Sequence, residues 1–302
     1  MKDIIKITLS LTIVCIAAAS ILGFVYAKTE RLRKENEVKQ TKATIQSLLG
    51  YGAGTKIPND LKIFDVYRYV ITDNKGITVL GYLLPLKEKG FALVEIDLSG
   101  KPGKIIPISA SAAQLAERGS RDAVVDKALP KGSKATYAET LSIADLGGKR
   151  LGYVIPGVTQ GFKTFIKMMV SVNPELTVTG VAIISSEEDP GLGAGIEHRY
   201  FRNQFVGKTL EVLKALKVIK EPLPADYLSV LEPQKAKQEH LTPDQIRDIK
   251  EKYAKQNIYA LTGATISSRA VTRGVKSTVR KFAYRIGILT DALKQQNVRV
   301  AF

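Results

Sequence analysis

The chain has 302 residues, a length suited to one large domain or two modest ones. Hydrophobic residues at 45% and charged residues at 25% exclude a low-complexity or disordered chain, and a net charge of +16 suits an anionic partner. One cysteine and two histidines argue against a disulfide framework, a thiolate cluster or a multi-histidine metal site, so electron chemistry here would need an organic cofactor.

Residues 7–27 carry no charge. At about 1.5 Å per residue this run reaches roughly 30 Å, enough to cross a bilayer core. Lys2 and Lys6 precede it, and Val25-Tyr26-Ala27 has the small-residue character of a cleavage site. The apolar length exceeds that of a signal peptide, so an uncleaved anchor is the expectation. Lys28, Arg31, Arg33, Lys34 and Lys39 follow the span, and the positive-inside rule alone would keep the bulk of the chain cytoplasmic. Residues 28–49 read as a polar helix leaving the membrane, broken by Gly50-Tyr51-Gly52-Ala53-Gly54. The expected organisation is 1–27 as tip and transmembrane helix, 28–54 as juxtamembrane helix and linker, and 55–302 as the globular body.

Residues 64–184 read as strands. An internal echo runs through them: Leu80-Gly81-Tyr82-Leu83-Leu84-Pro85 with Gly90-Phe91 matches Leu151-Gly152-Tyr153-Val154-Ile155-Pro156 with Gly161-Phe162. Hairpin turns follow at 99–103 and 173–175. Two related sub-units, or a chance similarity, would produce the pattern. Next comes Glu188-Asp189-Pro190-Gly191-Leu192-Gly193, which on residue type alone is a turn after a strand. Residues 196–219, with Phe201, Phe205 and Leu210, read as a helical connector, and 222–237 read as loop. Thr242-Pro243-Asp244-Gln245 opens a helix to about residue 256, and 258–261 form a short strand.

That strand delivers Thr262-Gly263-Ala264-Thr265. Val271, Val275, Val279 and Phe282 then recur at helical spacing, with Arg269, Arg273, Lys276 and Arg280 largely on other faces. Thr265 thus lies at or near a helix N-terminus, where unpaired N–H groups and the helix dipole favour a phosphate. A capping threonine beside a glycine turn would give the same four residues.

Thr262-Gly263-Ala264-Thr265 resembles the [Ser/Thr]-Gly-Ala-Thr signature of covalent flavin-carrier domains, among them the RnfG proteins of Rnf electron-transport complexes and the NqrC proteins of the sodium-translocating NADH:quinone reductase. Glu188-Asp189-Pro190-Gly191-Leu192-Gly193 is similar to the family's Glu-Thr-Pro-Gly-Leu-Gly motif, with Asp189 in place of threonine, and Phe205-Val206-Gly207-Lys208 resembles its Phe-x-Gly-Lys. The resemblance covers most of the chain to about Phe282 and favours the RnfG type over the NqrC type. It implies an α+β fold: one N-terminal transmembrane helix, then a mixed-sheet FMN-binding domain.

By this resemblance Thr265 carries FMN through a phosphoester, with Thr262, Gly263 and Ala264 shaping the turn, and Ser267 and Ser268 bonding the phosphate. Arg269 would offset the phosphate charge or stand as a solvated helix face. Pro190, Gly191, Leu192 and Gly193 would let backbone approach the flavin, while Glu188 would accept from the flavin or from a neighbouring loop. The implied role is an electron relay in an ion-translocating complex of the bacterial inner membrane, not a stand-alone enzyme, with the soluble domain on the extracytoplasmic side. Implied partners are the other membrane components of the complex, a maturing flavin transferase and an acidic redox protein; nucleic acid is not expected. Relatives carry an aspartate where this chain has Tyr259, within the motif the transferase reads. A non-flavinylated structural or ligand-binding membrane protein is the alternative.

Overall fold

The computed structural model describes residues 2–88 and 90–302; Met1, the first residue of the expected tip, lies outside them. The chain divides into two compact units, Met1–Ser47 and Leu48–Phe302. The first is almost entirely helix α1 (Lys2–Leu48), which joins the expected span and the polar helix without a break. Its apolar side chains face outward all round, with Ile7 68% and Phe24 73% exposed. The helix is long and apolar enough to cross a bilayer, and its apolar window is unburied.

The second unit is built on an eight-stranded sheet in the order β4-β3-β2-β1-β5-β6-β7-β8. β1 (Leu61–Thr72), β2 (Thr78–Pro85), β3 (Phe91–Asp97) and β4 (Pro102–Ile108) form one meander. β5 (Lys134–Leu146), β6 (Lys149–Gln160), β7 (Phe165–Val172) and β8 (Val178–Ser185) form the second. All pairs in this sheet are antiparallel, and β1–β5 joins the two meanders at the centre. The sequence echo therefore places its copies on β2 and β6, the second strand of each meander. It marks two halves of one continuous sheet.

Alternation along β1 sends Tyr67, Tyr69 and Ile71 to one face and Val66 to the other. Two short helices, α2 (Ala112–Ala116) and α3 (Arg118–Ala128), supply Leu115 and Val125 to the first face. They correct the expectation of strand throughout 64–184. The other face carries the main core, and the long helix α9 (Thr265–Gln295) seats Val271, Val275, Val279 and Phe282 in it, the stripe expected from the spacing.

Between β8 and α9 the connector is a chain of short pieces: a 3₁₀ turn at Gly193–Glu197, α4 (Arg199–Arg202), a 3₁₀ turn at Asn203–Phe205, α5 (Leu210–Ala215) and β9 (Val218–Ile219). The segment expected as loop instead folds into α6 (Ala225–Leu231) and α7 (Pro233–Gln238). These helices are short for their propensity alone; burial of Tyr227, Val230 and Leu231 beside Tyr253 and Tyr259 holds them. α8 (Pro243–Tyr253) starts at Thr242 with a capping box closed by Gln245, as the sequence indicates. β10 (Ile258–Tyr259) pairs parallel with β9 and leads into α9.

Candidate functional site

Two tight turns face each other at the start of α9. In the first, Ala264 N–H donates to Leu261 O at 3.0 Å and Gly263 sits at φ +74°. In the second, Leu192 N–H donates to Asp189 O at 3.1 Å, with Pro190 next and Gly191 at φ +78°. Both have the glycine third, where a type II turn needs a positive φ, and the second has proline in its preferred place. The turns touch: a Cβ on Gly263 would lie 2.8 Å from Leu192 Cδ2.

Thr265 is the first helical residue, not the cap. The cap position belongs to Ala264, which has no side chain to bond the free N–H groups of the first turn. The capping reading of Thr265 is therefore set aside. The half-buried Thr265 makes no side-chain hydrogen bond among the described residues, and its hydroxyl lies beside an uncapped helix N-terminus.

The serines behave differently. Ser267 is buried and donates its hydroxyl to Glu188 Oε2. Ser268 is fully buried, donating to Ala264 O at 2.9 Å and accepting from Leu261 N–H at 3.0 Å. Both hydroxyl protons are thus committed to protein acceptors, and Ser268 staples the turn that presents Thr265. Glu188, also buried, accepts from Phe162 N–H at 2.8 Å through its other oxygen. The neighbouring-loop bond is thus in place. Asp189 pairs with Lys163 in the same β6–β7 loop, which raises the Lys163 pKa. Gly193 completes the junction: a Cβ there would lie 2.8 Å from Ser267 Oγ and 2.9 Å from Glu188 Oε2.

A cavity of about 620 Å³ opens between the turns, within the range of small-molecule sites. Gly191, Leu192, Thr262, Gly263 and Thr265 line it; Glu188, Ser267 and Ser268 do not. Its far wall comes from residues the sequence did not single out, His198, Tyr200, Gln204, Lys220 and Leu223. His198 and Tyr200 stack at 5.5 Å and 12°. Gln204, fully buried, mimics a β-partner for Tyr259: its Oε1 accepts from Tyr259 N–H at 2.8 Å and its Nε2 donates to Tyr259 O at 3.3 Å. These residues lie on irregular segments with no periodicity to mark them. Only the neighbouring Phe205-Val206-Gly207-Lys208 gave a signal.

Tyr259 also borders the cavity, yet it is 4% exposed and packs edge-on against Tyr227 at 6.3 Å. Arg269 is exposed and lies along a different groove. Lys208 is buried under the C-terminal end of α8, donating to Tyr253 O, Ala254 O and Gln256 O, and its burial lowers the ammonium pKa to about 8.

Residues 161–280 match the FMN-binding domain family. The chain is 34% identical over 150 residues to the G component of the proton-translocating ferredoxin:NAD(+) oxidoreductase complex of Clostridium ljungdahlii, covering 50% of this chain and 60% of that protein. It is 40% identical over 83 residues to the G component of the ion-translocating oxidoreductase complex of Aliivibrio fischeri, covering 26% of this chain and 39% of that protein. The chain thus spans less than two thirds of the length of these relatives. The crystal structure of Shewanella oneidensis NqrC aligns with 80% of this chain and 91% of its own, at 15% identity and a TM-score of 0.43. The matched stretch, which holds the β6–β7 loop, both glycine turns and Thr265, is homologous to the FMN-binding domains of these G components.

Proposed function

We propose that Thr265 carries FMN covalently, as a phosphoester of its side-chain oxygen, and that the chain serves as an electron relay in an Rnf-type ion-translocating complex. The observation that carries this reading is the Thr265 hydroxyl at an uncapped helix N-terminus on the wall of a cavity of about 620 Å³. The residues present fit such a group. The N–H groups of the first turn of α9 and its dipole would hold the phosphate. Gly263 and Gly191 keep both turns free of side chains where a flat ring would lie, with the His198–Tyr200 stack opposite.

The Thr265 oxygen would hold FMN through its phosphorus, supplied from FAD by a transferase with AMP as the leaving group and the threonine proton passing to that transferase. Bound FMN would supply reversible electron transfer, and the chain supplies position and environment. Ser268 fixes the presenting turn, and Glu188 ties α9 to the β6–β7 loop. α1 would anchor the chain in the bacterial inner membrane, with the second unit on the extracytoplasmic side among the other membrane components of the complex. The outward exposure of the apolar α1 side chains accords with a lipid surround.

Co-expression with a flavin transferase, followed by denaturing electrophoresis under ultraviolet light, tests the reading. Fluorescence on the wild-type band and none on Thr265→Ala is the expected result. Equal fluorescence on both bands would move the attachment elsewhere.

A further inference from the structure

Beyond the flavin cavity, α9 carries a second feature. No acidic residue precedes Asp291 in this helix. Arg269, Arg273, Lys276 and Arg280 fall at spacings of four, three and four, so they run as one stripe along it. Together with Lys217 and Lys281 they border a groove of about 920 Å³ with no carboxylate in its lining. Arg273 donates to Gln160 O and Lys276 to Leu216 O, which fixes two of the cations against backbone. Arg269, Arg280 and Lys281 make no ion pair or hydrogen bond with a carboxylate among the described residues, and all three are exposed. Like charges so close repel one another, and no carboxylate among the described residues lines the groove to offset that cost.

We propose that this groove is the docking site for a carboxylate-rich segment of a partner protein. Charge complementarity selects an anion, and the shape selects a protein segment. From Arg269 to Tyr284 the stripe runs about 22 Å at 1.5 Å per residue, the length of a four-turn helix or a short extended strand. The half-buried Val218 lies on one border, and Tyr284, 66% exposed, closes the far end. Arginine and tyrosine beside an apolar side chain are the composition of a protein interface. A planar bilayer surface would not reach into a concave floor. A partner helix with carboxylates at matching spacing would meet the stripe cation by cation. Arg269 lies one helical turn from Thr265, so a docked redox partner would arrive beside the cofactor; that consequence alone rests on the flavin reading.

The test uses the full chain in neutral nanodiscs without a transferase, so attachment of flavin at Thr265 plays no part in it. A fluorescein-labelled helical peptide with glutamates at i, i+4, i+7 and i+11 is titrated by anisotropy at low and high salt. The triple substitution Arg269→Gln, Arg280→Gln and Lys281→Gln is compared with Lys237→Gln, Lys250→Gln and Lys255→Gln, which removes three exposed charges elsewhere. The expected result is salt-sensitive binding weakened about tenfold or more by the first triple and by less than about twofold by the second. Neither triple removes a buried contact, and matched melting curves verify folding. Equal weakening by both triples would overturn the proposal, as would absence of binding to the wild type. Hydrogen-exchange protection of residues 269–281 by phosphatidylglycerol discs but not by the peptide would also overturn it and give the face to the membrane.

Discussion

Ser267, two residues into α9 from Thr265, donates its hydroxyl to the buried carboxylate of Glu188, seventy-nine positions earlier in the chain. The other oxygen of that carboxylate accepts from Phe162 N–H. One side chain thereby ties the helix that presents Thr265 to the β6–β7 loop and to the turn at Pro190-Gly191. Glu188→Ala would leave the buried Ser267 hydroxyl, and the Phe162 N–H, without their partner. A loss of about 2–3 kcal/mol in urea unfolding is expected, with less flavin attached per folded molecule. Unchanged stability would show that water replaces the carboxylate without cost.

Gly193→Ala tests the same junction from the other side. Its Cβ would press on Ser267 Oγ and Glu188 Oε2, at 2.8 and 2.9 Å. Gly263→Ala combines an unfavourable positive φ with a contact on Leu192 Cδ2. Each is expected to cost about 1–3 kcal/mol, read from thermal melts. Gly287→Ala in the same helix, where a Cβ meets nothing within 4 Å, serves as control and should be neutral or stabilising.

Much of this arrangement is legible in the sequence, and the division has a physical cause. Thr242 and Gln245 announce α8 because a capping box is a local contract between residues three apart. Val271, Val275 and Val279 announce α9 for the same reason: one face, one period. α6 and α7 are not legible, because Pro222, Pro224 and Pro233 read as loop while the stacking of Tyr227 on Tyr253 at 4.2 Å holds the helices from outside. α2 is not legible either: Ser111 and Gln114 form a capping box, but the stretch around them reads as strand. The Glu188–Ser267 bond and the far wall of the cavity join residues distant in sequence, and no local pattern encodes them.

Tyr259 stands at the position where the resemblance implies an aspartate. Here it belongs to the aromatic cluster with Tyr227, Tyr253, Val230 and Leu231. Tyr259→Asp would set a carboxylate among those rings. It is expected to lower stability by about 3 kcal/mol or more and to loosen β10. Tyr259→Phe, losing only the bond from Gln256 Nε2 at 3.3 Å, should cost about 1 kcal/mol or less. Urea titrations of both variants check the pair. A Tyr259→Asp protein as stable as wild type would contradict the assignment of Tyr259 to the core.

Lys208 gives the second unit a pH signature. Burial lowers its pKa from 10.5 to about 8, so between those values the unfolded chain binds more protons than the folded one. Its contribution to stability therefore rises with pH from about 8 to about 10.5, and below 8 the buried charge costs its full amount. Unfolding free energies of wild type and Lys208→Met at pH 7 and pH 9.5 check this. The wild-type value should gain relative to the variant on going to pH 9.5, and a relative loss would contradict the buried-ammonium assignment.

The most direct test of the central claim is the mass of the proteolytic peptide that contains Thr265, taken from protein co-expressed with an active flavin transferase. A gain equal to FMN minus water, with fragment ions that place it on Thr265 and not on Thr262, Ser267 or Ser268, is the predicted result. An unmodified Thr265 peptide, from a preparation in which the transferase demonstrably flavinylates a second substrate, would contradict it.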